Sequence, residues 1–334
     1  MEYEWAWGSQ PQTFCYRFMK EDSKEIFQSA EDPSVFYYTE EFLEDLGKNP
    51  DQYKSHLKSK FTMKDSMKLS NHEDNFLHLL FKASDVETIK QFCQDLCDSD
   101  PQVFLELLDQ ENKVGWTPIY CIFNKNSVDL LETIVNFDKQ IRKSESSHIV
   151  KHVCNTGSVL IKACEVSSTT KGEESLKCLE YLLSPPISLD VNQPDHEGCT
   201  PLYMACYKGN HSVAKYLLDN GANPGVLCVN GSNSLHICAE RDFMDVLKLL
   251  CEHQKDLIYT QDDEGNTPLH IASLWSHMGI LEYLWELGEK KLVEIRNHDG
   301  DTAYELAYEE NQIYAHEFLC EKMGINTNTI CSLL

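Results

Sequence analysis

A short motif recurs at nearly constant spacing in the carboxy-terminal half of the chain, and this repetition constrains the fold more than any other feature. The motif is Gly, any residue, Thr or Asn, and then a mostly apolar run. Four copies occupy residues 198–205, 231–238, 265–272 and 300–307. The equivalent positions are Thr200, Asn233, Thr267 and Thr302. They are 33, 34 and 35 residues apart, and a fixed period of this length is typical of stacked repeats.

The chemistry of one copy predicts a turn followed by a helix. Gly265 permits the positive φ of a tight turn. Thr267 is suited to cap the helix that follows, and Pro268 suits its first position, where no amide donor is needed. A second apolar stripe at helical spacing follows at residues 280–285. Each unit is therefore a helix pair that buries its apolar face only by stacking on its neighbours.

Earlier copies are less regular. Residues 115–120 form a clear copy, and degenerate copies surround Asn75 and Ser158. The spacing before Thr200 is 42, 41 and 42 residues, so these units carry insertions. The last copy has lost its Pro and its His and has a polar helix, as expected of a terminal cap exposed to water.

Together these motifs resemble the ankyrin repeat family over about residues 71–324. The resemblance implies an all-α ankyrin repeat solenoid of about seven helix-turn-helix units with β-hairpin tips. We expect an irregular amino-terminal cap at residues 1–70, the repeats at 71–324 and a flexible tail at 325–334.

The amino-terminal region does not follow the repeat. Residues 3–7 and 13–18 alternate apolar and other residues around a Gly/Pro turn, which predicts a β-hairpin. Residues 39–46 and 51–61 predict helices. The region is interpreted as a hydrophobic lid on the first repeat or as a separate binding module. An F-box is disfavoured, because its usual Leu-Pro pair does not occur in this chain.

The charge balance disfavours two classes of partner. With 29 basic and 54 acidic residues, the net charge is −25. This opposes binding to nucleic acid and to anionic lipid, which both require clustered cations. The sequence also lacks a long apolar span and the pattern of a signal peptide at its start. We therefore expect a cytoplasmic protein whose 14 cysteines are mainly reduced.

No catalytic motif is found, so we expect no enzyme activity, no cofactor and no metal. Cys93 and Cys97 lie one helical turn apart, but no second pair accompanies them, which favours buried packing. His78, His236 and His270 occupy the same repeat position. The resemblance implies that this histidine ties adjacent turns together by hydrogen bonds.

The resemblance also implies that partners contact the concave face, formed by the hairpin tips and the exposed ends of the first helices. The corresponding helix positions are Tyr207, Lys208, Glu240, Arg241, Leu274 and Trp275. The corresponding tip positions are Asp263, Glu264, Asn266, His298 and Asp299, with Cys199 at an earlier tip. Since the later tips are acidic, we expect a protein partner with a basic segment. The alternative for Trp275 is burial in the core.

The chain ends in Cys-Ser-Leu-Leu, which matches a prenylation box and predicts geranylgeranylation of Cys331. Ser332 and the absence of a preceding basic run count against it. We expect a monomeric, non-catalytic adaptor, either cytoplasmic or tethered to a membrane by this lipid. One alternative is a regulatory domain of an enzyme whose catalytic part lies on another chain. Another is a bacterial effector that mimics host ankyrin proteins.

Overall fold

The computed structural model describes the repeats and a small part of the region before them. The described residues are 75–125, 127–144, 148–151, 153–154, 157–166, 172–185 and 187–325, together with the backbone of four short strands before residue 75. The predicted helices at 39–46 and 51–61 lie outside the described residues, as do Cys331 and the rest of the tail from residue 326.

The four amino-terminal strands form an antiparallel sheet in chain order. They are β1 (Trp5–Ala6), β2 (Tyr16–Phe18), β3 (Ile26–Ser29) and β4 (Phe36–Tyr38). β1 and β2 lie in the two segments that predicted a hairpin, with Trp5 opposite Arg17. β3 and β4 were not predicted from the sequence. They extend the same antiparallel order.

The chain divides into two compact units, each described here by itself. The first unit comprises residues 1–163 and 177–189, and the second comprises residues 164–176 and 190–334. α6 (Val159–Val166) and α7 (Gly172–Leu183) therefore each contribute residues to both units.

The described part of the first unit contains five other α-helices and a short β-ladder. The helices are α1 (Phe76–Ala83), α2 (Val86–Ser99), α3 (Pro101–Asp109), α4 (Ile119–Ile122) and α5 (Val128–Arg142). The ladder pairs β5 (Val153–Cys154) with β6 (Gly157–Ser158). Phe104 of α3 meets Phe137 of α5 edge to face at 6.0 Å between ring centroids. Such pairs contribute beyond the area they bury.

A buried carboxylate fixes the end of α5. Asp138 has no exposed surface. Its Oδ1 accepts from Arg142 Nε at 2.6 Å, and its Oδ2 accepts from the His148 backbone N–H at 2.8 Å. A buried charge is tolerated only when paired and hydrogen-bonded in this way. Asp138 therefore joins the helix to the segment after it.

The second unit contains four further helix pairs at the regular spacing. The helices are α8 (Pro201–Tyr207), α9 (His211–Asp219), α10 (Ser234–Glu240), α11 (Met244–His253), α12 (Pro268–Leu274), α13 (Met278–Val293), α14 (Ala303–Glu309) and α15 (Ile313–Met323). Each first helix packs on its own partner and on the first helix of the next pair. The predicted helix pairs are confirmed.

Local signals explain where these helices begin. Thr200 Oγ1 accepts from the Tyr203 N–H at 3.2 Å and caps α8, with Pro201 at the first helical position. Gly209 then turns the chain toward α9 with φ +68°. A Cβ on Gly209 would lie 2.6 Å from the ring of Phe243 in the next pair. This glycine is therefore favoured by the turn and required by the packing of the neighbouring repeat.

The core of the second unit is a row of leucines and small residues from successive helices. The leucines with no exposed surface include Leu202, Leu217, Leu235, Leu250, Leu269 and Leu284. The small residues expected between paired helices are all buried; they are Ala205, Cys206, Cys238, Ala239 and Ala272. Short side chains at these positions let the helices approach closely.

The last pair differs from the polar cap that the sequence predicted. Tyr308 in the last turn of α14 is 39% exposed. Ile313 and Tyr314, the first two residues of α15, are 63% and 75% exposed. The equivalent positions of α9 are polar, His211 and Ser212. The end of the unit therefore exposes apolar area. The charged residues of α14 predict a polar surface there, so the sequence does not indicate this apolar area.

Candidate protein-interaction surface

The hairpin tips of the second unit share one local structure. Asp195 Oδ1 accepts from the backbone N–H groups of Glu197 and Cys199 at 2.9 and 2.8 Å. Asp262 makes the same two bonds one repeat further on, at 3.0 and 2.8 Å. The glycine of each turn has φ between +72° and +96°; these are Gly198, Gly231, Gly265 and Gly300. The motif glycine is therefore needed for its backbone conformation.

Adjacent tips are joined by backbone hydrogen bonds. Three such bonds run in register: Val229 N to Glu197 O at 2.7 Å, Asp263 N to Asn230 O at 3.1 Å, and His298 N to Glu264 O at 2.9 Å. They hold successive tips at a fixed spacing while their side chains remain exposed. Each tip therefore presents its residues on a rigid support, which reduces the entropic cost of binding.

The motif histidines tie the repeats together, as the sequence predicted. Nδ1 of His236 accepts from the Asn233 backbone N–H at 3.3 Å, so Nε2 carries the proton and donates to Asn266 O at 3.1 Å. His270 repeats this arrangement with Asp301 O at 3.1 Å, and His78 does so in the first unit. Burial lowers the pKa of His236 and of His270 from the ordinary value of 6.5. Both are neutral structural residues.

A second set of side chains, three of the four exposed, lies at the far ends of the first helices. The residues that cap their carboxyl ends are Lys208, Arg241, Trp275 and Glu310. Each is followed by a residue of positive φ; these residues are Gly209, Asp242, Ser276 and Asn311. Because the same turn recurs in every repeat, the four capping side chains occupy one row across neighbouring repeats.

Arg241 and Tyr207 form the clearest contact in this row. The Arg241 guanidinium carbon lies 3.6 Å from the centroid of the Tyr207 ring. A cation stacked on an aromatic face is stabilised by the ring quadrupole. Lys208 lies next to this pair and forms an ion pair with Glu165 at 3.8 Å. The Tyr207 ring thus holds the Arg241 side chain in place. Within the described residues, no carboxylate forms an ion pair with Arg241.

Trp275 extends the row by one repeat. Its side chain is 55% exposed, so it is not a core residue. Leu274 beside it is half-buried, and Glu240 in the preceding repeat is exposed. The Glu240 carbonyl accepts from His277 Nε2 at 3.0 Å, which fixes the turn after Trp275 to the repeat before it.

A family model described as ankyrin repeats, in three copies, matches residues 130–228, 160–261 and 255–331. These matches cover more than half of the chain. The chain belongs to the ankyrin repeat family. The predicted fold class, an all-α ankyrin repeat solenoid, is thereby confirmed. Ankyrin repeats are protein–protein interaction modules and are generally non-catalytic.

Three relatives share the repeats. The mouse protein named fem-1 homolog A-like is 37% identical over 97 residues, 28% of this chain and 14% of that protein. Human transient receptor potential cation channel subfamily A member 1 is 34% identical over 104 residues, 31% of this chain and 9% of that protein. Alpha-latrocrustotoxin-Lt1a of Latrodectus tredecimguttatus is 30% identical over 155 residues, 46% of this chain and 10% of that protein. The chain thus spans a small part of each relative.

Two of the predicted contact residues are buried by the ankyrin tips themselves. Asn266 is 5% exposed; its Oδ1 accepts from Asn297 Nδ2 at 3.2 Å and its Nδ2 donates to Glu264 at 3.1 Å. Cys199 is 8% exposed, and its Sγ lies 2.9 Å from Sγ of Cys228. Both side chains connect neighbouring tips. Neither is available to a partner.

The other predicted tip residues remain at the surface. Asp263, Glu264, His298 and Asp299 are all exposed. Sequence reasoning missed Leu227, which is 48% exposed beside Val229 at 73%. It also missed the apolar residues of the last repeat. An alignment of the repeats would have marked Tyr314, because Ser212, Asp245 and Gly279 stand at its position, but not Ile313, because Met244 and Met278 stand at its position.

The described residues offer no metal centre or membrane span. No group of three or more His, Cys, Asp or Glu among them is placed to hold a metal ion. No helix within the described ranges is both long and apolar enough to cross a membrane. Cys93 is buried, and burial raises the pKa of its thiol and raises the pKa of Cys97 to about 12. Both are protonated near neutral pH, which disfavours metal binding.

Proposed function

We propose that this ankyrin repeat chain is a cytoplasmic, monomeric adaptor that binds a protein partner through its second unit. The contact surface combines the exposed tips with the row of capping side chains. The observation that supports this most is Trp275, which is 55% exposed at the position where the preceding repeat places Arg241. A large indole left in water at a regular position of a rigid scaffold favours a binding role.

The composition of the row supports the same proposal. Tyr, Arg and Trp are the residue types most enriched among binding hot spots; the row contains Arg241 and Trp275, and Tyr207 contacts Arg241. Arg241 is already stacked on Tyr207 in the free chain. A preorganised arginine loses less side-chain entropy when a partner binds.

The charge of the later tips indicates the partner's chemistry. Asp263, Glu264 and Asp299 are exposed, and no ion pair within the described residues neutralises them. A partner segment rich in Lys and Arg would complement them. Such complementarity increases the association rate and selects against acidic competitors.

The test is site-specific cross-linking in cells of the organism from which the chain derives. A photo-reactive amino acid at position 275 should capture one protein, whereas the same group at Glu252, which is exposed on α11, should not. Trp275→Ala should then weaken the affinity for that protein by about 5-fold or more, which corresponds to about 1 kcal/mol. The circular dichroism spectrum should be unchanged. Equal capture from both positions would contradict the proposal.

A second candidate function is membrane tethering through the Cys-Ser-Leu-Leu terminus. We propose that Cys331 is geranylgeranylated. One lipid gives only reversible attachment, and the charge of −25 opposes anionic lipid, so we expect incomplete retention on membranes. Intact-mass measurement after expression in eukaryotic cells tests this. A mass equal to that of the unmodified chain contradicts it.

The cross-linked partner also tests the two alternatives carried from the sequence. If that partner is an enzyme whose activity depends on the ankyrin chain, the chain is a regulatory subunit. If it is a protein of a different host organism, the chain is an effector. A non-enzymatic partner from the same organism supports the adaptor.

A further inference from the structure

The last two repeats expose a cluster of large apolar side chains, here called the terminal apolar patch. It comprises Trp275, Tyr308, Ile313 and Tyr314, which are 55%, 39%, 63% and 75% exposed. In the described part of the chain, only two other large apolar side chains are as exposed, and both lie in one earlier hairpin tip.

The fold brings these four residues to one end of the unit. α12 and α14 both begin beside their hairpin tips, so their carboxyl ends lie at the opposite end. Trp275 caps α12, Tyr308 lies in the last turn of α14, and Ile313 and Tyr314 begin α15. Because α12 packs along α14 and α13 packs along α15, the turns that carry the patch are neighbours.

The patch is not explained by packing within its own repeats. In the preceding pair, the first residue of the second helix is Met244, whose Cε lies 3.3 Å from where a Cβ on Gly279 would be. That methionine is thus covered by the next repeat. Ile313 holds the same position, and its 63% exposure shows that the described residues do not cover it in this way.

The segment that carries the last two repeats is strongly acidic. Residues 268–323 contain eleven Asp and Glu but four Lys and Arg. Two of the four cations pair with carboxylates of their own segment: Lys290 with Glu294 at 3.3 Å and Arg296 with Glu305 at 2.8 Å. Lys291 lies 4.6 Å from the ring centroid of Tyr259, and Lys322 lies 5.3 Å from that of Phe318.

The acidic side chains nearest in sequence to the patch are Glu309 and Glu310, between Tyr308 and Ile313. Both are exposed, and neither forms an ion pair with another described residue. Glu309 is also the last residue of α14 and Glu310 is its C-cap, at the helix end where the dipole disfavours negative charge. No contact within the described structure compensates for this electrostatic cost. This favours a role in recognition for the two glutamates.

The sign of this charge selects the occupant. An anionic membrane surface would be repelled by the carboxylates around the patch. A second copy of the chain would bring the same carboxylates against each other. A segment that presents apolar side chains flanked by Lys and Arg satisfies both the exposed apolar area and the acidic surroundings.

We infer that the terminal apolar patch, with Glu309 and Glu310, is a docking site for a basic amphipathic helix of a partner protein. This inference rests on the proposed adaptor function and specifies the partner's chemistry. The apolar anchors of the helix contact Tyr314 and Ile313, and its cations contact the two glutamates.

The test uses the full chain and a synthetic 18-residue peptide as probe. The probe has leucines at helical spacing on one face and lysines elsewhere. One control peptide replaces each lysine with glutamate, and another scrambles the same residues so that no apolar face forms. Fluorescence anisotropy measures binding. We expect the probe to bind, the glutamate peptide not to bind, and the scrambled peptide to bind at least about 5-fold more weakly.

Variants locate the site. Tyr314→Ser should weaken probe binding about 5-fold, whereas Glu252→Ser, at an exposed residue of α11 outside the tips and the row, should not. Glu309→Lys with Glu310→Lys should abolish probe binding and allow the glutamate peptide to bind. This double variant also places cations at a helix carboxyl end, where they favour the helix, so the fold is retained.

The outcomes separate the inference from the proposed function. If the scrambled peptide binds as tightly as the probe, or Glu252→Ser weakens binding as much as Tyr314→Ser, the docking site is refuted. If Trp275→Ala weakens binding of the cross-linked partner while Tyr314→Ser and the double glutamate variant do not, the adaptor function stands and the inference fails. If partner binding needs none of these residues, both fail.

Discussion

Replacing a tip glycine with alanine should measure what tip stacking contributes to stability. Gly265 has φ +78°, and a Cβ there would lie 2.6 Å from the backbone nitrogen of His298 in the next repeat. Gly221 is the matched control, since it has φ +87° and nothing lies within 4 Å of its Cβ position. Both substitutions place an alanine at a positive φ, so they strain the backbone equally. Only the alanine at position 265 also clashes with the next repeat.

The expected magnitudes follow from these two terms. An alanine forced into the left-handed region costs about 1–2 kcal/mol, which is all that Gly221→Ala should lose. Gly265→Ala must also displace His298, whose N–H donates to Glu264 O at 2.9 Å. Losing a backbone hydrogen bond costs about 0.5–1.5 kcal/mol more. Gly265→Ala should therefore lose about 1.5–3.5 kcal/mol.

Urea denaturation followed by circular dichroism gives the loss of free energy for each variant, and amide hydrogen exchange locates it. The His298 amide should lose protection in Gly265→Ala and keep it in Gly221→Ala. Equal losses of stability in the two variants, with His298 still protected in both, would refute tip stacking as a source of stability.

Three further predictions test the core and the buried charges. Leu269→Ala, at a fully buried position, should cost about 2–5 kcal/mol in urea denaturation, and an unchanged midpoint would show that this leucine is not core. Burial lowers the pKa of His270 in the folded chain, so the unfolded chain binds more protons when the pH falls below the ordinary value of 6.5. The free energy of unfolding should therefore fall as the pH drops below 6.5. In denaturation curves, His270→Gln should make this dependence on pH less steep. Asp138→Ala should cost about 1–3 kcal/mol, because the His148 N–H and Arg142 Nε lose their acceptor while Arg142 keeps its ion pair with Asp109. Asp129→Ala, at an exposed ion pair, should cost less than about 1 kcal/mol, and similar losses would contradict the buried network.

The exposure of the candidate contact residues was only partly predictable from the sequence. Repeat spacing placed Arg241 and Trp275 at equivalent positions of successive repeats, and both are exposed. It also placed Asn266 among the contacts. The structure excludes Asn266 from the candidate contact residues, because its side-chain amide bonds to Asn297 of the next tip instead of facing water.

The sequence by itself determined the ankyrin repeat and its local chemistry. The glycine turns, the caps such as Thr200 and the tying histidines such as His270 depend on residues within one repeat or one repeat apart, so a 33-residue period encodes them. The tertiary structure decided which side chains are exposed. Exposure depends on what the adjacent repeat covers. The repeat that contains Gly279 packs against Met244, whereas Ile313 at the equivalent position is exposed to water. No local pattern contains that information, because burial is a property of stacked neighbours.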